Sequence, residues 1–256
     1  MKLIDTHCHL NDETLYKDLD NVISRALQTG VEKMIVIGWD EESSKLAIKI
    51  AEQYSFIYAC VGFHPENLEG VDDEALNRVL NLSLHPKAVG IGEIGLDYHW
   101  EKDPQKREIQ KEFFVKQIEF ANKAGLPISI HSREAFQDTL DILKNHKPLH
   151  SGVMHCYSGS VENIQDIINL NLYIGLDGPV TFRNAKTPKE VALDVPLGKL
   201  VLETDSPYLS PHPLRGTVNE PANLIMIADE IANIREMSKK HLLEVVYDNS
   251  CKLFNL

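Results

Sequence analysis

The segment Asp5-Thr6-His7-Cys8-His9 follows the apolar pair Leu3-Ile4. On an extended strand side chains alternate between faces, so His7 and His9 point one way and Cys8 the other. Two imidazoles on one side of a strand end can ligate the same metal ion, and Asp5 shares their face as a supporting partner. Further ligand-type residues close other apolar runs: Glu93, His131, His155 and Asp205. Glu93 offers two carboxylate oxygens, so it can bridge two cations that neutral imidazoles alone would not neutralise. Two cations about 4 Å apart would acidify a water and stabilise the attacking and leaving oxygens of a displacement. Asp205 can ligate one cation and accept that water's proton. Glu203, on the same strand face, can orient Asp205 or a ligating histidine. Mixed nitrogen and oxygen donors suit several divalent ions, so Mg, Mn and Zn all stay open.

Two residues are read as substrate contacts. His64, in Val61-Gly62-Phe63-His64-Pro65, is not needed to complete either metal and is assigned to a substrate phosphate, the alternative being a polar rim residue. Arg133, two residues after His131, can grip a phosphate with two parallel hydrogen bonds. Its alternative is a helix-start ion pair with Glu134 or a neighbour. Asp97 and Tyr98 are expected to shape the loop after the fourth strand, and His85, His146, His150 and His241 to be solvated. Cys8 and Cys156 are expected to face away from the cleft and pack. No G-x-S-x-G elbow and no phosphate-binding loop is present, so the serine-hydrolase and nucleotide-triphosphatase readings lack their core motif.

These residues need a scaffold that gathers strand ends. Short β-type runs at 2–7, 33–38, 57–62, 88–94, 127–131, 152–155, 172–176 and 200–204 alternate with amphipathic stretches at 16–28, 41–53, 73–81, 105–124, 134–145 and 161–170. Gly30, Gly125 and Asn171 follow helical segments as stop signals. Eight strands alternating with helices predict a single α/β (β/α)8 barrel, in which functional residues sit at the C-terminal strand ends. An open dinucleotide-binding sheet is disfavoured, because no G-x-G-x-x-G follows an early strand. Residues 206–221, with Pro207, Pro211, Pro213, Gly216 and Pro221, read as a long loop after the eighth strand, and helical pattern resumes at Ala222 and over 238–253. One domain spanning residues 1–256 is expected.

With 43% apolar and 25% charged residues the composition is that of a globular protein with a sizeable core. No apolar run spans a bilayer and no secretion signal is seen, so the cytoplasm is the expected compartment. The four cysteines have no metal-knot or disulfide spacing. A net charge of −12 argues against a broad grip on duplex DNA. Carboxylate ligands gathered in one cleft account for part of that acidity.

Taken in order, several motifs resemble the TatD family of metal-dependent deoxyribonucleases, members of the amidohydrolase superfamily with a TIM-barrel fold. They are Asp5-Thr6-His7-Cys8-His9, Gly62-Phe63-His64-Pro65, Gly92-Glu93-Ile94-Gly95-Leu96-Asp97-Tyr98, His131-Ser132-Arg133, His155-Cys156-Tyr157-Ser158-Gly159, Glu203-Thr204-Asp205-Ser206-Pro207-Tyr208-Leu209 and Asn219-Glu220-Pro221. The resemblance runs along essentially the whole chain. It implies that His7, His9, Glu93 and Asp205 hold one divalent metal and that Glu93, His131 and His155 hold the second. It further implies phosphodiester hydrolysis, commonly 3′-to-5′ removal of nucleotides from DNA; the net charge of −12 makes single-stranded ends the expected partner. Thr217 and Val218 depart from the pattern, standing where family members often carry basic residues, and Tyr157 stands where Phe is frequent. Two other readings stay open: a metal-dependent deacylase acting on D-aminoacyl-tRNA, which similar ligands would serve, and a non-catalytic metal-binding protein. No membrane and no obligate protein partner is expected.

Overall fold

Apolar runs rich in Val and Ile form eight strands: β1 (Leu3–Cys8), β2 (Val31–Ile37), β3 (Ile57–Val61), β4 (Ala88–Asp97), β5 (Ile128–Arg133), β6 (Gly152–Met154), β7 (Leu172–Leu176) and β8 (Leu200–Leu202). In the structure, a computed structural model that describes residues 2–256, they lie in one sheet in sequence order. Each strand pairs in parallel with the next. Parallel neighbours need crossover connections, which helices supply on the outer face. These are α1 (Glu13–Tyr16), α2 (Leu19–Gln28), α3 (Glu41–Gln53), α4 (Asp73–Asn81), α5 (Pro104–Ala124), α6 (Phe136–Asn145), α7 (Ile164–Asn169) and α8 (Thr187–Asp194), with α9 (Leu224–Ile234) and α10 (Lys239–Phe254) after the last strand. The segments just beyond β8 and β1 close the barrel, Asp205 N–H donating to His7 O at 2.9 Å and His9 N–H to Ser206 O at 2.8 Å. The fold is a TIM barrel, as expected.

Two apolar clusters hold it together. The larger lies between strands and helices, including Leu3, Met34, Phe114, Leu143 and Ile227. The smaller joins Ile35, Ile37, Cys60, Val153, Tyr173 and Val201, the inward positions of their strands, to Leu253 and Phe254 of α10. A Cβ on Gly90 would touch Phe254 and Pro127, which places this plug beside the starts of β4 and β5. The end of the barrel where the strands finish is therefore left for polar residues. Local signals agree with the elements: Asp40 and Ser43 form a reciprocal cap on α3, and Gly125 ends α5 with φ 74°.

The boundaries differ from expectation where the site is built. β4 runs to Asp97 because pairing with β5 resumes after an irregularity between Ile91 and Ile94 and continues to Asp97 opposite Arg133. β6 and β8 stop early, so His155 and residues 203–205 stand just past their strands. The helix expected at 16–28 is two, since Asp18 leaves helical dihedrals (φ −124°, ψ 29°). The one expected from 134 begins at Phe136, after Glu134 at φ 54°. α8 escaped the pattern because it buries only Val191 and Ala192. Among the described residues no helix is long and apolar enough to cross a membrane.

Candidate metal centre

Glu93 is buried and lies in β4, and its two oxygens face different sets of imidazoles. His7 Nε2 and His9 Nε2 lie 3.4 Å and 3.9 Å from Oε2. Around Oε1 stand His131 Nδ1 at 2.8 Å, His155 Nε2 at 3.6 Å and His64 Nε2 at 3.7 Å. On the first side, His7 Nε2 and His9 Nε2 are 3.3 Å apart, and Asp205 Oδ1 lies 3.7 Å and 3.3 Å from them. Donors about 2.0–2.1 Å from a tetrahedral ion are about 3.3–3.4 Å from one another, so this spacing suits one cation.

The tautomers sort the histidines by chemistry. His9 Nδ1 faces the Ile37 carbonyl at 3.3 Å, and a carbonyl only accepts, so Nδ1 carries the proton and neutral His9 presents a lone pair at Nε2. His155 Nδ1 likewise donates to Glu203 Oε1 at 3.0 Å, which leaves its Nε2 lone pair toward Glu93 and Asp205. His7 Nδ1 reaches Ser129 Oγ at 3.3 Å, and its ring stacks on His155 with centroids 3.5 Å apart. His64 is the reverse case. Its Nδ1 accepts the Glu66 N–H at 3.2 Å, so neutral His64 carries its proton on Nε2 and presents a donor. Burial, then the neighbouring His131, pushes His64 down to about 3, which keeps it neutral at pH 7. His131 sits between two carboxylates, with Nε2 3.0 Å from Asp97 Oδ2 and Nδ1 on Glu93. Burial opposes its charge, but the bonds to Asp97 and Glu93 prevail and raise it to about 9.

Lone pairs from His7, His9 and His155 and carboxylate oxygens converging on one buried spot are hard to place without positive charge between them. In the cation-free molecule protons take that role. His9 and His155 are raised, because burial is outweighed by Asp205 for His9 and by Glu203, Asp205 and Glu93 for His155. Glu93 is held well below the usual carboxylate range and Asp205 below it, since burial is outweighed by the surrounding histidines. The donor set fits a divalent cation on both counts, spacing and protonation.

Six residues named from the sequence, His7, His9, Glu93, His131, His155 and Asp205, stand at the C-terminal mouth of the barrel, and Arg133 lines the same cleft of about 720 Å³. The structure groups His155 with His7 and Glu93, and His131 with His64 and Glu93. Arg133 makes no ion pair with Glu134, which is engaged by His99 and Lys102. Asp5 braces the strand ends rather than a ring: its carboxylate accepts from the Thr204 N–H, the Thr204 hydroxyl and the His7 N–H.

One expectation is extended and one corrected. Asp97 shapes the loop after β4 as expected, its Oδ1 accepting the His99 and Trp100 N–H groups at 2.8 Å and 3.0 Å, and as a buried strand residue it also holds His131 through Oδ2. The longer β4 explains the added role. Cys156 lines the cleft instead of facing away, because φ 42° breaks the strand alternation after Met154. Cys8 is buried as expected. Trp39, Trp100 and Tyr208 also line the cleft; Tyr208 stands in a motif of the resemblance but had no role assigned, and Trp39 and Trp100 carried no sequence signal beyond being aromatic residues in loops. Gly95 and Gly175 keep the walls close: a Cβ on Gly95 (φ +144°) would collide with His131 O, and one on Gly175 with the Glu203 carboxylate at 2.5 Å.

Comparison with known proteins agrees with this geometry. The profile of a family described as TatD related DNase matches residues 4–255. The chain is 43% identical over 255 residues to the uncharacterized metal-dependent hydrolase YabD of Bacillus subtilis, covering 99% of both chains. It is 34% identical to the uncharacterized metal-dependent hydrolase YcfH of Escherichia coli K12, covering 100% of this chain and 97% of that one. Among solved structures, YjjV, a TatD homologue of Escherichia coli K12, superposes with a TM-score of 0.94 at 31% identity, covering 99% of this chain and 98% of that one.

Proposed function

This chain belongs to the TatD family and is a metal-dependent hydrolase; from that premise we propose that it is a deoxyribonuclease that trims single-stranded DNA from its 3′ end within one catalytic domain. The observation that carries the metal-dependent part of this reading is the division of Glu93, one oxygen toward His7 and His9 and the other toward His131 and His155, and the nucleic-acid part is supported by the match to the TatD related DNase family. We assign one cation to His7, His9, Asp205 and Glu93, and a second to Glu93, His131 and His155. Divalent cations bound there supply Lewis-acid stabilisation of phosphate charge and activation of water.

The chain's own residues do the rest. Glu203 and Ser129 hold the rings of His155 and His7 in orientation. Asp205 stays ionised at neutral pH, and only its Oδ1 is engaged by the histidines, so Oδ2 is available to take a proton as general base. His64, neutral with its Nε2–H toward the site, donates to a non-bridging phosphate oxygen. Among the described residues Arg133 is the only lysine or arginine lining the cleft, so with a net charge of −12 most attraction for a polyanion must come from the cations themselves. That favours a short footprint on a strand end over a grip on duplex.

The test is a panel of labelled single-stranded DNA, RNA and D-aminoacyl-tRNA, each with Mg²⁺, Mn²⁺ or EDTA. We expect DNA to be shortened stepwise from its 3′ end when a cation is present. Release of the amino acid from tRNA while DNA stays intact would instead establish a deacylase.

A further inference from the structure

On one lip of the cleft an indole and a guanidinium stand side by side. Trp100 is 63% exposed, unusual for the largest apolar side chain, and Arg133 Cζ lies 5.7 Å from its ring centroid. Both are carried on anchored backbone: the Trp100 backbone N–H donates to Asp97 Oδ1 at 3.0 Å, and the Arg133 carbonyl accepts the Tyr98 N–H at 2.9 Å. Arg133 has no carboxylate within ion-pair distance among the described residues, because Glu134, its sequence neighbour, is held by His99 and Lys102. Asp97 ties this lip to the donor cluster, since its other oxygen holds His131 at 3.0 Å.

We propose that Trp100 and Arg133 form a nucleotide clamp, the indole stacking on a base beside the scissile linkage and the guanidinium taking that nucleotide's phosphate. This rests on the nuclease reading above and names the substrate unit it requires. A planar aromatic face next to an unpaired fork of N–H donors matches a nucleotide, which carries a base and a phosphate one sugar apart. A free phosphate would use only the arginine, whereas the terminal adenosine of an aminoacyl-tRNA would use both, so the clamp names the nucleotide unit and the panel of substrates above names the bond that is cut. Stacking on an indole is tolerant of base identity, so the clamp recognises a nucleotide without reading sequence.

The test has two arms. In the first, KM and kcat are measured for single-stranded DNA with ordinary 3′-terminal nucleotides and for the same strand with abasic units there. Trp100→Ala should raise KM about tenfold or more on ordinary DNA, leave KM on the abasic strand unchanged, and be largely restored by Trp100→Phe. Arg133→Ala should raise KM on both strands. A Trp100→Ala variant that matches wild type on ordinary DNA, or that loses equally on both strands, overturns the clamp. In the second arm, Trp39→Phe leaves Trp100 as the sole tryptophan, since the chain has two. Its fluorescence should change saturably with deoxyadenosine 5′-monophosphate and not with 2-deoxyribose 5-phosphate. If wild type cleaves no DNA the nuclease reading fails, and this second arm decides the clamp alone: a base-dependent change upholds it, and no change overturns it.

Discussion

Asp97 Oδ2 and His131 Nε2 are joined at 3.0 Å, while the other nitrogen of that ring meets Glu93 at 2.8 Å. One imidazole is thus strung between a buried strand carboxylate and the central carboxylate of the site. When a cation takes the Nδ1 side, Asp97 keeps the Nε2 proton, fixes the tautomer and makes the ring a better donor.

Replacing Asp97 by Asn keeps an acceptor but removes the charge behind His131. Cation affinity should fall about 10- to 100-fold, as for other partners of metal-bound histidines. Calorimetric titration with Mn²⁺ or Zn²⁺ reads this directly. Wild-type affinity in Asp97→Asn would show that the contact does not support binding.

Glu93→Ala removes the carboxylate that five imidazoles face across 2.8–3.9 Å. Occupancy should drop for both proposed cations together. Elemental analysis that still finds two full equivalents in the variant would end the bridging assignment.

Asp205→Asn should behave differently. The amide oxygen can still approach a cation but accepts a proton poorly, so turnover should fall by roughly 10²-fold or more while substrate binding persists. Steady-state kinetics paired with binding measurements separate the two effects, and near-normal turnover would remove Asp205 as the base.

The cation-free protein should also have a pH signature. His131 is raised to about 9 from an ordinary 6.5, so the folded state holds its proton more tightly than the unfolded chain does. That stabilisation is complete below pH 6.5 and is lost as pH rises through about 9. The Tm of chelated protein should therefore decline across this window, and that of cation-loaded protein should decline less, because a bound ion supplies charge that does not titrate. A flat Tm in the chelated protein would contradict the network described for the site.

Much of this site was legible in the sequence because it obeys strand geometry. His7 and His9 share a face by simple alternation, and the barrel rule gathers residues that end distant strands. What stayed hidden depends on departures from that geometry. Asp97 joins His131 because β4 continues past the irregularity at Gly92 and Glu93, and no local pattern announces that. Cys156 turns into the cleft through a left-handed backbone, and Trp100 is placed by a hydrogen bond to Asp97 rather than by an apolar stripe. The split roles of His9 and His64 could not be read from residue type, since they follow from which ring nitrogen meets a carbonyl and which meets an N–H.

The most direct measurement is a time course on a single-stranded oligonucleotide labelled at its 5′ end, with Mn²⁺, with EDTA, and with Mn²⁺ restored in excess after EDTA. The expected result is a ladder of products shortened one nucleotide at a time from the 3′ end, abolished by the chelator and recovered with the cation. Intact oligonucleotide in the presence of cation, or a ladder that EDTA leaves undiminished, would contradict it.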